Sequence, residues 1–108
     1  MFFDYNMYAG RILTLNDSYQ NYRTIIFIVN AYMENGTGSR YSSYPFPRQF
    51  LNEIKNQNQN RVSLTNYWSA DYFGALNIGF TSDTTLQIYE LNKGIYVTGL
   101  ELLIYGLR

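Results

Sequence analysis

The chain has 108 residues, with eight basic and eight acidic side chains and neither histidine nor cysteine. Without those two residue types it cannot form disulfides, thiolate or imidazole metal sites, or the catalytic triads that depend on them. The formal net charge of zero provides no electrostatic footprint for nucleic acid or for an anionic membrane. The length predicts one domain, residues 1–108, with one modest core.

Short apolar segments with a period near two alternate with clusters of Asn, Asp, Ser and Gly, a pattern typical of antiparallel strands. Residues 10–15 are the first clear strand, and the turn "NDS" follows. Residues 23–33 form the longest and most apolar segment. We expect this segment to be a central strand, because a run that is apolar on both faces is usually covered on both.

Pro45 and Pro47 exclude a central strand from the middle of the chain, and residues 48–56 are predicted to form one short helix. The tract "NQNQN" at residues 56–60 is predicted to be a surface turn. The last strand, residues 95–107, is apolar on both faces, since Leu102 and Leu103 point to opposite sides. It therefore predicts cover on both sides, which a second subunit could supply.

About eight strands in one unit predict an all-β fold, an antiparallel β-sandwich that is jelly-roll-like, with at most one short helix. The alternation also predicts which apolar side chains point into the core. These are Leu13, Leu15, Ile26, Ile28, Val62, Leu64, Leu76, Ile78, Phe80, Leu86, Ile88, Leu100, Leu102 and Ile104.

The stretch "NYWSADYFG" places Tyr67, Trp68, Tyr72 and Phe73 around a polar centre that contains Asp71. The face of a tryptophan or tyrosine ring stacks on the apolar face of a pyranose, and neighbouring polar side chains bind its hydroxyls. This pattern predicts ligand binding by Trp68, Tyr67, Tyr72 and Asp71. The same aromatic residues could instead pack a loop corner onto the sandwich or lie at a subunit contact.

A second candidate segment is "ENGTGSRYSSY", residues 34–44, which is predicted to begin as an exposed loop. It offers Arg40, Tyr41 and Tyr44 beside flexible glycines, and binding loops have a similar composition of rigid aromatic anchors and adaptable polar groups. The alternative is an ordinary solvated connection.

Carboxylates are the only general acids or bases that the composition leaves, and a glycosidase needs two of them facing each other at about 5 to 9 Å. Asp17 and Asp83 occupy turn sequences, and Glu101 alternates outward on its strand. The sequence therefore predicts no catalytic residue, no cofactor and no metal site, although calcium bound by loop carbonyls stays an open alternative. The longest apolar run, residues 25–29, is too short to insert into a membrane.

Three segments together resemble a known family: "AGRILTLNDSYQNYRTIIFIV" at residues 9–29, "TSDTTLQIYE" at 81–90 and "GLELLIYGLR" at 99–108. They are similar to the C-terminal β-sandwich modules of bacteriophage tail fibres, tail spikes and baseplate-associated minor structural proteins. In those modules a segment like "G-x-I-T-L-x-D-S-x-x-N-Y" leads into an apolar strand, and the chain ends in a signature like "I-Y-G-I". Here the ending is "IYGLR".

The resemblance implies a non-enzymatic distal domain of a homotrimeric host-recognition protein that binds a saccharide of the bacterial surface. Such a protein would be found in the virion tail, or in the bacterial cytoplasm before assembly. The alternative is a structural trimerisation or capping domain with no ligand of its own. Modules of this kind normally follow a long fibre or enzymatic domain, whereas this chain opens with methionine.

Overall fold

The computed structural model describes residues 2–4, 7–33, 38–55 and 61–108, which contain eight strands, one α-helix and one 3-10 turn. The strands are β1 (Phe2–Asp4), β2 (Ile12–Thr14), β3 (Thr24–Met33), β4 (Ser39–Pro47), β5 (Val62–Ser69), β6 (Tyr72–Phe80), β7 (Thr85–Lys93) and β8 (Val97–Leu107). The 3-10 turn is Tyr19–Asn21 and the helix α1 is Arg48–Lys55. The predicted all-β sandwich with one short helix is confirmed.

The strands form two antiparallel sheets of four: the first sheet has the order β1-β8-β3-β4 and the second has the order β2-β7-β6-β5. The two ends of the chain pair as they do in a jelly roll, with β1 beside β8 in the first sheet and β2 beside β7 in the second. A β3–β4 hairpin and a β5–β6–β7 meander complete the sheets. The edge strands β4 and β5 consequently contact each other on one side of the sandwich.

Two prolines in the middle of the chain lie in an edge strand rather than a central one, as predicted. Both Pro45 and Pro47 lie in β4, which among the described strands pairs only with β3 and is therefore an edge strand. An edge strand accepts proline because one side of its backbone needs no ladder hydrogen bonds. The helix α1 begins directly after Pro47 and buries Leu51. The tract "NQNQN" lies outside the described residues.

Strand β3 is central, as predicted, but its core face is the opposite of the predicted one. Its buried side chains are Ile25, Phe27, Val29 and Ala31. Ile26 and Ile28, which we expected in the core, lie on the outer face of the first sheet, opposite Tyr105 and Leu103 of β8. Because both faces of β3 are apolar, alternation alone does not distinguish them, and pairing with β8 determines which face is inside.

Most of the other predicted core residues are buried between the sheets, while Leu15 and Val62 are only partly buried and pack against the edge of the core. The buried ones are Leu13, Leu64, Leu76, Ile78, Phe80, Leu86, Ile88, Leu100, Leu102 and Ile104.

Glu101 lies on the outer face of the first sheet, as its alternation predicts, yet it is only 2% exposed. The Nδ2 atom of Asn30 donates to its Oε1 at 3.2 Å, and the hydroxyl of Tyr32 donates to its Oε2 at 3.0 Å. Asn30 is also fully buried, and its Oδ1 has no hydrogen-bond partner within the described part of the chain. The outer face of this sheet therefore contains a buried polar pair beside its apolar residues.

Residues from two of the three segments quoted above, 9–29 and 99–108, meet at one corner of the sandwich. Asp17 accepts hydrogen bonds from the backbone N–H of Ser18 at 2.8 Å, from Asn21 at 2.7 Å and from the hydroxyl of Tyr22 at 2.7 Å. The ring of Tyr22 lies against Gly106 of the terminal "IYGLR", where a Cβ would overlap it. The two motifs thus form one structural unit that joins the start of β3 to the end of β8.

The reversed core face of β3 predicts different costs for two neighbouring substitutions. Ile25→Ala should lower the free energy of unfolding by about 2 to 5 kcal/mol, because it leaves a cavity between the sheets. Ile26→Ala removes a partly exposed side chain from the outer face and should cost only about 1 kcal/mol. Urea denaturation of both variants measures the difference. Equal costs would contradict the assignment of the core face.

The close packing of Tyr22 against Gly106 predicts that Gly106→Ala destabilises the fold by about 1 to 3 kcal/mol, because the new methyl group would overlap Cγ and Cδ1 of the Tyr22 ring. Gly99→Ala is the matched control, since it lies on the same strand and its Cβ would meet no atom within 4 Å. Thermal unfolding compares the two variants. A Gly106→Ala protein as stable as the Gly99→Ala protein would exclude this packing role.

The hydrogen bonds at the same corner predict a pH dependence. The Tyr22 hydroxyl, followed by Asn21, lowers the pKa of Asp17 below its ordinary 3.8. A carboxyl with a lowered folded-state pKa contributes stability above its unfolded-state pKa, and the contribution is lost as the pH falls through the folded-state value. Tyr22→Phe should therefore destabilise the protein more at about pH 7 than at about pH 2. Urea denaturation at both pH values tests this.

Tyr89→Phe is the control for that measurement, because within the described residues the Tyr89 ring contacts Arg61 while its hydroxyl makes no hydrogen bond. A Tyr22→Phe effect that is the same at both pH values would show that the hydroxyl does not act through Asp17.

Candidate functional site

The stretch "NYWSADYFG" forms a β-hairpin in which β5 turns into β6. The register shifts between Tyr67 and Ser69, which makes Trp68 the extra residue of a β-bulge. Bulges of this kind redirect side chains at the ends of sheets. In this hairpin the indole of Trp68 lies beside Tyr72, with ring centres 5.1 Å apart.

The aromatic contacts continue into the turn between β7 and β8, where the ring of Tyr96 is 5.2 Å from that of Tyr72. Trp68 is 55% exposed and Tyr96 is 40% exposed, while Tyr72 is partly buried between them. Arg40 of β4 completes the group from the other sheet, because its guanidinium carbon lies 3.8 Å from the centre of a Trp68 ring. These four residues, Arg40, Trp68, Tyr72 and Tyr96, are called the Trp68 cluster below.

A buried amide determines where Arg40 lies. Asn66 of β5 is only 4% exposed, and its Nδ2 donates to the carbonyl of Val29 at 3.0 Å and to the carbonyl of Arg40 itself. The backbone of β4 is thereby joined to β5 next to Trp68. Residues 39–44 pair with β3 as part of the edge strand β4, which corrects the expected binding loop. Residues 34–37 lie outside the described residues.

Tyr96 lies beside Tyr72 because the β5–β6 turn and the β7–β8 turn pack against each other. The N–H of Gly94 donates to the carbonyl of Phe73 at 2.9 Å, and the N–H of Tyr96 donates to the carbonyl of Asp71 at 3.1 Å. A Cβ at Gly94 would overlap the Asp71 backbone, so only glycine permits this approach. The geometry of the cluster therefore depends on both hairpins.

Two of the predicted ligand-binding tyrosines lie away from the cluster. Tyr67 is 66% exposed and contacts Phe73, at 6.2 Å between ring centres, on the outer face of the second sheet. Tyr41 is 65% exposed on the outer face of the first sheet, opposite Asn30. The structure therefore does not bring these tyrosines together with Trp68.

Tyr44 is at the seam where the two edge strands meet. Its hydroxyl accepts a hydrogen bond from the N–H of Thr65 at 3.0 Å and donates one to the carbonyl of the same residue. Both backbone groups belong to the edge strand β5, so Tyr44 has a structural role there. Asp71 is exposed in the turn of the β5–β6 hairpin, next to the cluster in sequence.

Sequence reasoning missed two contributors to the site. Tyr96 lies in the turn between β7 and β8, two residues after Gly94, and an aromatic residue beside a glycine turn is the signal that could have identified it. Asn66 is polar at a position where the alternation of β5 points inward after Leu64. A polar residue on an apolar face is the signal that could have identified it.

The two turn aspartates have structural partners. Asp83 accepts a hydrogen bond from the ammonium group of Lys55 at 2.9 Å, which lowers the pKa of Asp83 and raises the pKa of Lys55. Asp17 accepts the hydrogen bonds from Ser18, Asn21 and Tyr22 described above. Among the residues that the structure describes, no three acidic side chains come together as metal ligands, and no helix has the length and apolar character to cross a membrane.

No family model, curated protein or solved structure matches this chain. What the Trp68 cluster can do chemically follows from its geometry: exposed aromatic rings offer stacking surface, and the adjacent guanidinium offers hydrogen-bond donors.

Proposed function

We propose that this domain is a non-enzymatic saccharide-binding module that forms the distal part of a bacteriophage tail host-recognition protein. The observation that carries the saccharide part of the proposal is the exposure of Trp68 beside Arg40 and Tyr72. The assignment to a phage tail, and so to the virion or to the bacterial cytoplasm before assembly, is supported by the resemblance of the three sequence segments alone.

The exposed indole suits a sugar ring for a physical reason. The guanidinium of Arg40 lies over the Trp68 ring, and Trp68 is nevertheless 55% exposed. An apolar surface of that size, next to polar donors, matches the apolar face and the hydroxyls of a pyranose. Tyr96 extends the same surface from the neighbouring turn.

A structural capping or trimerisation domain is the second candidate, and a different surface favours it. The outer face of the first sheet has Ile26, Ile28, Leu103 and Tyr105 side by side, and all four are partly exposed. An apolar sheet face of this kind is suited to contact another copy of the chain. This surface does not include the Trp68 cluster.

Glycan-array screening followed by calorimetry tests the proposal. For any glycan that the wild type binds, we expect Trp68→Ala to weaken the binding free energy by about 1 to 3 kcal/mol, by analogy with base stacking on aromatic side chains. Tyr67→Ala is the matched control, because Tyr67 is the adjacent exposed aromatic residue on the opposite face of the second sheet. It should bind as the wild type does.

Urea denaturation and light scattering of both variants complete the test. If Trp68→Ala unfolds the protein or dissociates an assembly, the cluster is a structural contact and the second candidate is favoured. If the folded Trp68→Ala protein binds as tightly as the wild type, saccharide binding at this site is excluded.

A further inference from the structure

Arg40 is an exposed cation, and no carboxylate among the described residues engages its guanidinium. The ion pair formed within the described residues is Lys55 with Asp83, far along the chain from Arg40, and the contact of the Arg40 guanidinium is the indole of Trp68. Stacking on an aromatic ring occupies the flat face of a guanidinium and leaves the N–H groups at its edge free to donate. Arg40 thus presents a fork of donors beside the aromatic surface.

Within the described part of the chain, the other charged groups near the cluster leave a small positive excess. Lys93 of β7 donates from Nζ to the carbonyl of Val97 at 2.8 Å, close to the turn that carries Tyr96. Asp71 is exposed in the turn of the β5–β6 hairpin and is the opposing charge. Glu101 is on the outer face of the first sheet, away from the side to which Arg40 points. Counting only the residues that the structure describes, two cations and one anion therefore lie near the aromatic rings.

A saccharide that stacks on the exposed part of the indole and extends past the edge of the ring would also cover part of the neighbouring guanidinium. An N–H donor that loses its water without gaining an acceptor weakens binding. A charged acceptor offsets this loss better than a neutral hydroxyl does. A carboxylate or phosphate matches the fork of an arginine with two parallel hydrogen bonds. The site is therefore better suited to an anionic group than to a neutral sugar.

The guanidinium is also held in place before a ligand arrives. Asn66 holds the backbone of Arg40 through its carbonyl, and the indole holds the other end of the side chain. A donor fixed at both ends loses little conformational freedom on binding, which favours affinity. This arrangement distinguishes Arg40 from a flexible surface cation.

We propose that the saccharide recognised by the Trp68 cluster is acidic, and that Arg40 binds its carboxylate or phosphate group through two parallel N–H···O hydrogen bonds. This inference rests on the saccharide-binding function proposed above and specifies its ligand class. Trp68 supplies stacking to the sugar ring, and Arg40 supplies the preference for charge.

The test uses an array of matched glycan pairs: uronate oligosaccharides with their methyl esters, and sugar phosphates with their parent sugars. We expect the acidic member of at least one kind of pair to bind about 10-fold or more tightly than its neutral partner. Raising the salt concentration should reduce this preference. A preference only among uronates identifies a carboxylate ligand, and one only among sugar phosphates identifies a phosphate ligand.

Arg40→Gln should remove most of the preference, because it weakens binding of the acidic member about 10-fold more than binding of the neutral member. Arg40→Lys should retain part of it, because a lysine keeps the charge but not the fork. Arg61→Gln is the matched control: Arg61 also stacks on an aromatic ring, 4.1 Å from the centre of Tyr89, but it is not part of the cluster. Arg61→Gln should keep the full preference.

Two outcomes overturn the inference, and they are distinguishable. If the wild type binds neutral and acidic members equally, or if Arg40→Gln keeps the preference, the acidic ligand class is wrong while saccharide binding itself stands. If the folded wild type binds no glycan on the array, the proposed function fails and the inference fails with it.

Discussion

The side-chain amide of Asn66 is the contact on which the candidate site depends. Asn66 belongs to the second sheet, yet it donates to the carbonyls of Val29 and Arg40 in the first. Leaving a buried amide without partners costs about 1 to 3 kcal/mol, so these bonds favour one relative position of the two sheets at this edge. Arg40 therefore lies over Trp68, which follows Asn66 on the same strand.

This contact lies at an edge of the two sheets. Unpaired strand edges are templates for pairing with other chains and so favour aggregation. Here the hydroxyl of Tyr44 occupies both the N–H and the carbonyl of Thr65 on β5. On β4, Pro45 and Pro47 remove two backbone donors. The addition of a further strand along this edge is consequently disfavoured.

Sequence pattern was sufficient where local chemistry determines structure and insufficient where contacts between strands determine it. The prolines placed β4 at an edge, but alternation could not choose between Ile25 and Ile26 because both faces of β3 are apolar. In the same way, Trp68 and Arg40 were both expected to bind ligand, yet nothing local to either predicts their contact across two sheets. Tyr96 joins them through the packing of two turns, which is also a non-local feature.

Saccharide binding and self-association are proposed for different surfaces of the sandwich, so one molecule could do both at once. The Trp68 cluster lies where the edge strands of the two sheets meet, while Ile28 and Leu103 lie on the outer face of the first sheet. A second copy that covered the outer face would leave the guanidinium and the indole open, because both point to the side on which the sheets face each other. Assembly through that face would therefore repeat the cluster once per subunit, and several such sites acting together bind a polymeric surface more tightly than one site alone.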